Sequence, residues 1–490
     1  MTKASKGPCA TVTPSDTQVV KYRFPPRLQI QICMLWAHGS AGASPYQASR
    51  QGEAPAEPEA FKTRFAPLDA FAPTLLSPAA AFRLTRNSRT ITNDSMNDFA
   101  ASGFWKADFN EAALGAWAQK LRRELGAPRV SLGLLFMTPH YFEAAARILE
   151  VLRVHAEIPL LLGCSSTSLI IGSRENEDEQ GLVLSLFSLP GAELRGVHFT
   201  QEQVEEANGP GYWALETGMA AEQLNGWLAF ADPFHMDAEA WLRGWNELYA
   251  PKPIVGGLAS GDFSQRATQL YLDGEVFEEG GVAVALAGAV ELQSVISQGC
   301  TPIGETWTIT KTEGNIIHKI ANRPAYEVLQ ETFSNLSERE QRKARGNLFV
   351  GLVVNEYLEE FHRGDFLVRN ILGGDPQSGA LAVGALPRQG QTMQFQRRDA
   401  DAATEDMTAL LDQLSLRLAG RALYGGCLCT CNGRGHRLFG HPNHDAGLVQ
   451  EKLGPFELAG FFCNGEIGPI GELNFLHGYT ASLAVFARRV

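Results

Sequence analysis

The sequence predicts an α/β protein with two lobes of mixed sheets flanked by helices, preceded by a disordered N-terminal extension. Apolar residues recur at helical spacing over 110–125. Two apolar runs of strand length, 130–137 and 158–163, enclose a second helical stretch at 141–154, which is the pattern of a βαβ unit. A hairpin signal at 313–315 requires antiparallel pairing, so the sheets cannot all be parallel.

The first 95 residues differ in composition from the rest of the chain. They hold 10 of the 25 prolines and show neither a helical nor a strand period. We predict that 1–95 is a disordered extension or a mis-annotated start, with Met96 as an alternative first residue. A transit peptide stays open as an alternative, although the Arg-rich amphipathic pattern of such segments is absent.

A boundary between the two lobes is predicted near residue 322. The strand-like runs on each side of the hairpin signal end there, and Pro324 is well placed for the first turn of a new helix. We therefore predict one α/β domain over 96–322 and a second over 323–490.

Composition indicates a cytoplasmic protein without a nucleic-acid or membrane partner. The net charge of −12 disfavours nucleic acid. Eight cysteines in 490 residues are too sparse for a disulfide framework. No stretch approaches the roughly 18 apolar residues that a membrane-spanning helix needs.

Polar loops follow two of the predicted strands, where α/β folds commonly bind ligands. Cys164, Ser165 and Ser166 follow the strand that ends at Gly163, and Asp262 follows the run that begins at 253. Hydroxyl groups and backbone N–H groups at such an edge can hold a carboxylate or an amide. A simple polar turn is the plainer interpretation, and a nucleophilic Cys164 is a third.

Two charged residues lie between glycines after apolar runs near the C-terminus. Arg434 has the side chain suited to bidentate carboxylate binding, and Glu466 could receive an ammonium group. Together they would read an amino acid. The alternative is that Arg434 and Glu466 pair with each other and fix their loops.

Four cysteines raise the question of a metal site. Cys427, Cys429 and Cys431 alternate along one predicted strand, and Cys463 lies on the next. Same-face neighbours on a strand lie about 6.6 Å apart, which is awkward for three ligands of one ion. We predict no metal and no cofactor, and buried core thiols instead.

Two blocks of sequence match the motifs of a known family. The first is Gln298-Gly299-Cys300-Thr301-Pro302-Ile303-Gly304-Glu305. The second combines Cys431-Asn432-Gly433-Arg434-Gly435 with the segment from Gly460 to Pro469, followed by His477. In these blocks the chain resembles the FIST family, and the resemblance implies a two-part intracellular sensory module that binds a small ligand such as an amino acid. It also implies ligand contacts from the residues already singled out and from His477.

Three functions follow as hypotheses. The first is a signal-transduction module that binds a small ligand, possibly an amino acid, through Cys164, Ser165, Ser166, Asp262, Arg434, Glu466 and His477, and passes its state to a signalling partner. The second is a thiol-dependent hydrolase or transferase that uses Cys164 or Cys300. The third is a scaffold for protein partners. We favour the first, because the sequence shows no assembled set of nucleophile, base and orienting residue.

Overall fold

The structure is a computed structural model that describes residues 99–262 and 264–490. The extension predicted over 1–95 lies outside the described residues. Within them, the chain forms three six-stranded sheets and one seven-stranded sheet, with helices between the strands. The predicted α/β class with mixed sheets is confirmed. No helix in this part of the chain is both long and apolar enough to cross a membrane.

The first unit contains the predicted βαβ element. Its elements are β1 (Ala100–Trp105), α1 (Glu111–Glu124), β2 (Leu132–Met137), a 3-10 helix (Pro139–Ala144), α2 (Ala145–His155), β3 (Leu161–Ser165), β4 (Leu169–Ile171), β5 (Arg174–Asn176) and β6 (Leu182–Phe187). Helix α1 begins where predicted, because the Asn110 side chain accepts the N–H of Ala113 at 3.0 Å. Strands β2 and β3 pair in parallel, with α2 as the crossover.

The second unit repeats this order. Its elements are β7 (Ala192–Phe199), α3 (Gln201–Glu206), α4 (Pro210–Thr217), β8 (Leu224–Ala231), α5 (Ala238–Tyr249), β9 (Ile254–Leu258), β10 (Leu270–Leu272), β11 (Glu275–Phe277) and β12 (Gly281–Gly288). Strands β8 and β9 are the parallel pair, and α5 is their crossover. Helix α5 buries Trp241, Trp245 and Tyr249 on its apolar face.

The third unit begins with β13 (Val290–Ser297) and is then interrupted by an inserted region. The inserted region contains β14 (Cys300–Glu313), β15 (Ile316–Ile320), β16 (Arg323–Pro324), α6 (Ala325–Ser334), α7 (Glu338–Ala344), β17 (Leu348–Val353), β18 (Phe366–Asp375), β19 (Ala380–Val383) and β20 (Thr392–Arg398). These strands form the seven-stranded sheet, here called the inserted sheet, in which every pairing is antiparallel. The predicted hairpin is confirmed as β14 and β15.

After the inserted region the third unit resumes with the same order as the other two. Its remaining elements are α8 (Ala400–Leu418), β21 (Leu423–Cys431), α9 (His436–Phe439), α10 (His444–Leu453), β22 (Leu458–Cys463), β23 (Glu466–Ile470), β24 (Leu473–His477) and β25 (Ala481–Arg488). Strands β21 and β22 are the parallel pair.

The three units exchange hairpins in a cycle. Hairpin β4–β5 of the first unit joins β22 of the third, β23–β24 of the third joins β9 of the second, and β10–β11 of the second joins β3 of the first. Each six-stranded sheet therefore holds four strands of one unit and two of another, in the same spatial order. The exchange ties the three units into one body.

The three sheets share one apolar core. Phe136 on β2, Phe230 on β8 and Phe461 on β22 contact one another there, with ring centroids 4.8 to 5.4 Å apart. One residue from each unit thus meets at the centre.

The boundary predicted near residue 322 falls inside the inserted region, between β15 and β16. Strands from the two sides of it share sheets, since β13 pairs with β25 and β9 pairs with β23. The segments 96–322 and 323–490 are therefore interleaved in the described part of the chain.

Candidate functional site

A cleft of about 80 Å³ lies between the inserted sheet, the start of helix α5 and the end of strand β24. Its wall is mainly apolar, with side chains contributed by all three elements and by β9. The apolar lining includes Met236, Leu258, Phe349, Val368 and Leu476. This volume is several times what a single water needs, and the cleft is partly open to solvent, so part of a small molecule can enter it.

The acidic side of the cleft comes from the first turn of α5. Asp237 is the N-cap residue, and its Oδ1 accepts the N–H of Ala240 at 2.9 Å. The preceding turn is fixed by the buried Asp232, whose Oδ2 accepts the N–H of His235 at 2.6 Å. These bonds place the carboxylates of Asp237 and Glu239 at the cleft.

The basic side of the cleft is Arg369 on strand β18. Its Nη2 lies 3.1 Å from Glu239 Oε1, and its Nη1 donates to the Val368 carbonyl at 3.1 Å. The ion pair joins the inserted sheet to α5 across the cleft. Arg369 is thereby held with its charge beside the Glu239 carboxylate.

His477, the last residue of β24, is the one residue predicted as a ligand contact that lines the cleft. Its Nε2 lies 3.0 Å from the Gly468 carbonyl oxygen, which can only accept, so Nε2 carries the proton. Burial, together with the charge of Arg369, lowers the pKa of His477 to about 3. The ring is therefore neutral, and Nδ1 is an acceptor with no partner among the described residues.

Tyr479 follows in a left-handed backbone conformation, with φ of 61°. This conformation is unfavourable for a bulky residue and is found where the surroundings enforce it. The ring lies 4.4 Å from the guanidinium carbon of Arg398 and contacts the ring of Phe349 at 5.1 Å. A hydrogen bond links the hydroxyl to the Asn370 side chain. Tyr479 therefore fixes the inserted sheet against the end of β24.

The predicted strand-end loops do meet, but they bond to one another. Ser165 Oγ donates to the Ser260 carbonyl at 2.9 Å, and Ser166 Oγ lies 2.8 Å from the Phe462 carbonyl. Ser260 Oγ donates to the same Phe462 carbonyl at 2.7 Å. The segments at the ends of β3, β9 and β22 thus form a buried hydrogen-bond network. Cys164, Ser165 and Ser166 are fully buried and do not line the cleft.

Asp262 also lies away from the cleft. Its Oδ1 accepts the N–H and the hydroxyl of Ser264, at 2.8 and 2.6 Å, and these bonds lower the pKa of the carboxyl. The arrangement is that of a turn closed by its own aspartate.

Arg434 has a different partner from the one expected. It is fully buried and binds Asp445 in a bidentate pair, with Nε–Oδ2 at 2.6 Å and Nη2–Oδ1 at 2.8 Å. Asp445 also accepts the Thr430 hydroxyl and lies 3.0 Å from His444 Nδ1. Burial alone would raise the pKa of Asp445, but the charge and hydrogen bonds of Arg434 lower it. The guanidinium predicted to bind a ligand carboxylate is thus occupied by Asp445, and the alternative pair of Arg434 with Glu466 does not form either.

Glu466 is also fully buried, at the start of β23. Its Oε2 accepts the Thr480 N–H at 2.9 Å, and its Oε1 lies 3.1 Å from Cys463 Sγ. Burial raises the pKa of Glu466 to about 8. At neutral pH this side chain is therefore mainly a neutral carboxylic acid.

We expect Glu466 to make stability fall as pH rises. The unfolded chain releases this proton near pH 4.5, but the folded chain keeps it up to about 8. The contribution is complete below pH 4.5 and is lost on the way to about 8, at about 1.4 kcal/mol per pH unit for a full proton. Glu466→Gln, which imitates the neutral acid, should flatten this slope in denaturant titrations.

The exposed Glu472 in the turn of the same hairpin supplies the control, since Glu472→Gln should leave the slope at its wild-type value. Equal slopes for Glu466→Gln and the wild type would show that Glu466 is ionised in the folded protein.

The thiols do not resemble activated nucleophiles. Burial raises the pKa of Cys164 well above its usual range and that of Cys300 to about 12. Cys427 and Cys429 lie side by side in the core, with sulfurs 4.0 Å apart. Among residues 99–262 and 264–490, no group of three or more His, Cys, Asp or Glu side chains is arranged to hold a metal ion.

Sequence reasoning missed most of the cleft. Arg369, Asn370, Asp237 and Glu239 belong to no motif, and the only signal for two of them was acidic residues at a helix start. The site forms where the inserted sheet meets the second unit, and that contact has no local pattern in the sequence.

Comparison with known proteins gives two domain matches and close relatives. Residues 131–323 match the FIST N domain, and residues 325–469 match the FIST C domain. The chain is 36% identical over 383 residues to an uncharacterized protein of Mycobacterium tuberculosis (strain H37Rv), covering 77% of this chain and 97% of that protein. It is 37% identical over 383 residues to an uncharacterized protein of Mycobacterium bovis, covering 77% and 96%.

Among solved structures, the chain is similar to a crystal structure of cyanuric acid hydrolase from A. caulinodans. The TM-score is 0.29 and the identity 9%, over 80% of this chain and 99% of that chain.

Proposed function

The chain belongs to the FIST family, and we propose that it is a sensory module that binds an amino acid with an apolar side chain in the cleft. The observation that carries this proposal is the composition of the cleft wall. The lining of one cleft combines an apolar surface with a guanidinium, two carboxylates and the histidine that carries an unpaired neutral acceptor. Ligand sites commonly have this mixture of apolar walls and a few polar groups.

The charges in the cleft match the two ends of an amino acid. Arg369 can bind a carboxylate through its planar guanidinium. The carboxylates of Asp237 and Glu239 can accept an ammonium group. Arg369 and Glu239 form an ion pair across the cleft. The ligand would insert between these two side chains, with its carboxylate at Arg369 and its ammonium group at Glu239. The apolar wall would cover the side chain of the ligand.

The position of the cleft suggests how binding could be sensed. The inserted sheet is held on the third unit by Gln298, which bonds to the Phe366 carbonyl at 2.8 Å and to the Val368 N–H at 3.1 Å. A ligand that contacts both β18 and α5 would stabilise one placement of the inserted sheet. We further propose a cytoplasmic signalling partner that binds the protein when the inserted sheet is in this position.

The proposal predicts that apolar amino acids raise the melting temperature. L-leucine, L-methionine and L-phenylalanine should be tested in a thermal-shift titration, and the preferred one in calorimetry. A ligand at about 100 times its dissociation constant stabilises a protein by about 2.7 kcal/mol. Leucinamide and N-acetyl-L-leucine, which lack one of the two charges, should bind more weakly.

A blocked cleft supplies the matched control. Val368→Trp should fill the cavity and abolish the shift, whereas Leu416→Trp, at an exposed position of helix α8 that does not line the cleft, should leave it unchanged. The cleft is the wrong site if Val368→Trp binds the amino acid with wild-type affinity. The proposed function fails if no amino acid stabilises the wild-type protein.

A further inference from the structure

His477 is buried at the cleft with one ring nitrogen occupied and the other unpaired. Only 3% of its surface is exposed. Nε2 donates to the Gly468 carbonyl, and Nδ1 has no hydrogen-bond partner among the described residues. Leaving a buried acceptor unpaired costs free energy, so such an atom on a residue that lines a cleft calls for an explanation.

The surroundings of His477 determine that Nδ1 is a hydrogen-bond acceptor. The Gly468 carbonyl retains the proton on Nε2, and the nearby guanidinium of Arg369 opposes a second proton on the ring. Nδ1 can therefore accept a hydrogen bond but cannot donate one. The carboxyl of Glu466, the register partner of His477, is already bonded to Thr480 and Cys463. It is therefore not available to satisfy Nδ1.

We propose that His477 determines ligand specificity by accepting a hydrogen bond from an N–H or O–H group of the ligand. The inference rests on the proposed function and adds the orientation of the ligand in the cleft. A ligand carboxylate has no hydrogen to offer Nδ1 and lies at Arg369. The α-ammonium group lies at the β24 side of the cleft, where His477 accepts one of its three hydrogens. Ligands without a donor at that position leave Nδ1 unpaired and are rejected.

Two substitutions separate the two ring nitrogens. His477→Gln can place its amide nitrogen where Nε2 donates to Gly468, but it offers no acceptor at the Nδ1 position. His477→Asn places its amide near Nδ1 and loses the bond to Gly468. We expect His477→Gln to keep the melting temperature of the unliganded protein near the wild-type value. We expect His477→Asn to lower it while keeping an acceptor.

The test compares three ligands of the same shape by calorimetry: L-leucine, α-hydroxyisocaproate and isocaproate. The first two carry a donor at the α-position, and the third carries none. The wild type should bind L-leucine about tenfold or more tightly than isocaproate, with α-hydroxyisocaproate also favoured over isocaproate. In His477→Gln the ratio of α-hydroxyisocaproate to isocaproate affinity should fall toward one, because these two ligands differ in the donor and not in charge, whereas His477→Asn should keep this ratio clearly above one.

The possible failures are distinct. If the wild type binds α-hydroxyisocaproate and isocaproate equally, or if His477→Gln retains the wild-type ratio of these two affinities, the role of His477 is overturned and binding in the cleft stands. If none of the three ligands binds the wild type, the role of His477 is overturned, and the proposed function is overturned with it if no other amino acid stabilises the protein.

Discussion

Arg434→Ala should lower the stability of the unliganded protein by about 3–5 kcal/mol, the usual cost of removing one partner of a buried ion pair. The substitution would leave the Asp445 carboxylate buried with the Thr430 hydroxyl and His444 as its remaining partners. Arg434→Lys should recover little, because one ammonium group cannot replace two parallel hydrogen bonds. Denaturant unfolding without ligand is the measurement.

A double-mutant cycle identifies the partner. Arg434→Ala and Asp445→Ala should show a coupling energy of about 2 kcal/mol or more, and the cycle with Glu466→Gln a smaller one. Lys120→Ala, in the exposed pair with Glu124, is the control and should cost at most about 0.5 kcal/mol. If Arg434→Ala left stability unchanged and removed amino-acid binding, Arg434 would be a ligand contact and the proposed cleft would be incomplete.

Local elements were predictable because their periods are local. The helices at 111–124 and 145–155 and the strands at 132–137 and 161–165 follow directly from the spacing of apolar residues. The arrangement of three repeated units was not predictable. The hairpins are taken up by sheets of other units, and nothing in a hairpin sequence states which sheet it will join. The region inserted between β13 and α8 further conceals the third repeat.

The candidate site was also predictable only in part. Convergence of the polar loops after β3, β9 and β22 follows from strand-end geometry, and the structure brings these loops together. Sequence could not show that Ser165, Ser166 and Ser260 would satisfy one another and leave no free group for a ligand. It also could not show that Arg369 would come from the inserted sheet to face α5. His477, which lines the cleft, was singled out in the sequence through the family resemblance.

In each of the three units one strand glycine lies against the backbone of the neighbouring strand. Substitution of these glycines is expected to cause the largest loss of stability. Gly163, Gly256 and Gly460 each face the parallel partner strand so closely that an added Cβ would lie 1.8, 1.8 and 2.0 Å from a carbonyl oxygen. The obstructing atom is backbone in each unit, so no side-chain rotation can relieve the contact. Replacement by alanine would require the parallel pair at the centre of the sheet to separate.

We expect Gly256→Ala to destabilise the protein by about 4 kcal/mol or more, enough to reduce soluble yield sharply, with similar losses for Gly163→Ala and Gly460→Ala. At Gly256 the backbone φ of 153° adds strain to the clash with the Ala229 carbonyl.

Gly447→Ala is the control, because this glycine lies in helix α10 with open space around it. That substitution should stabilise the protein by about 0.5–1 kcal/mol through helix propensity. Thermal melts of the four variants decide the matter: if Gly256→Ala melted near the wild-type temperature, β8 and β9 could not be paired in this register. If only one of the three repeat glycines proved sensitive, the equivalence of the three units would have to be abandoned.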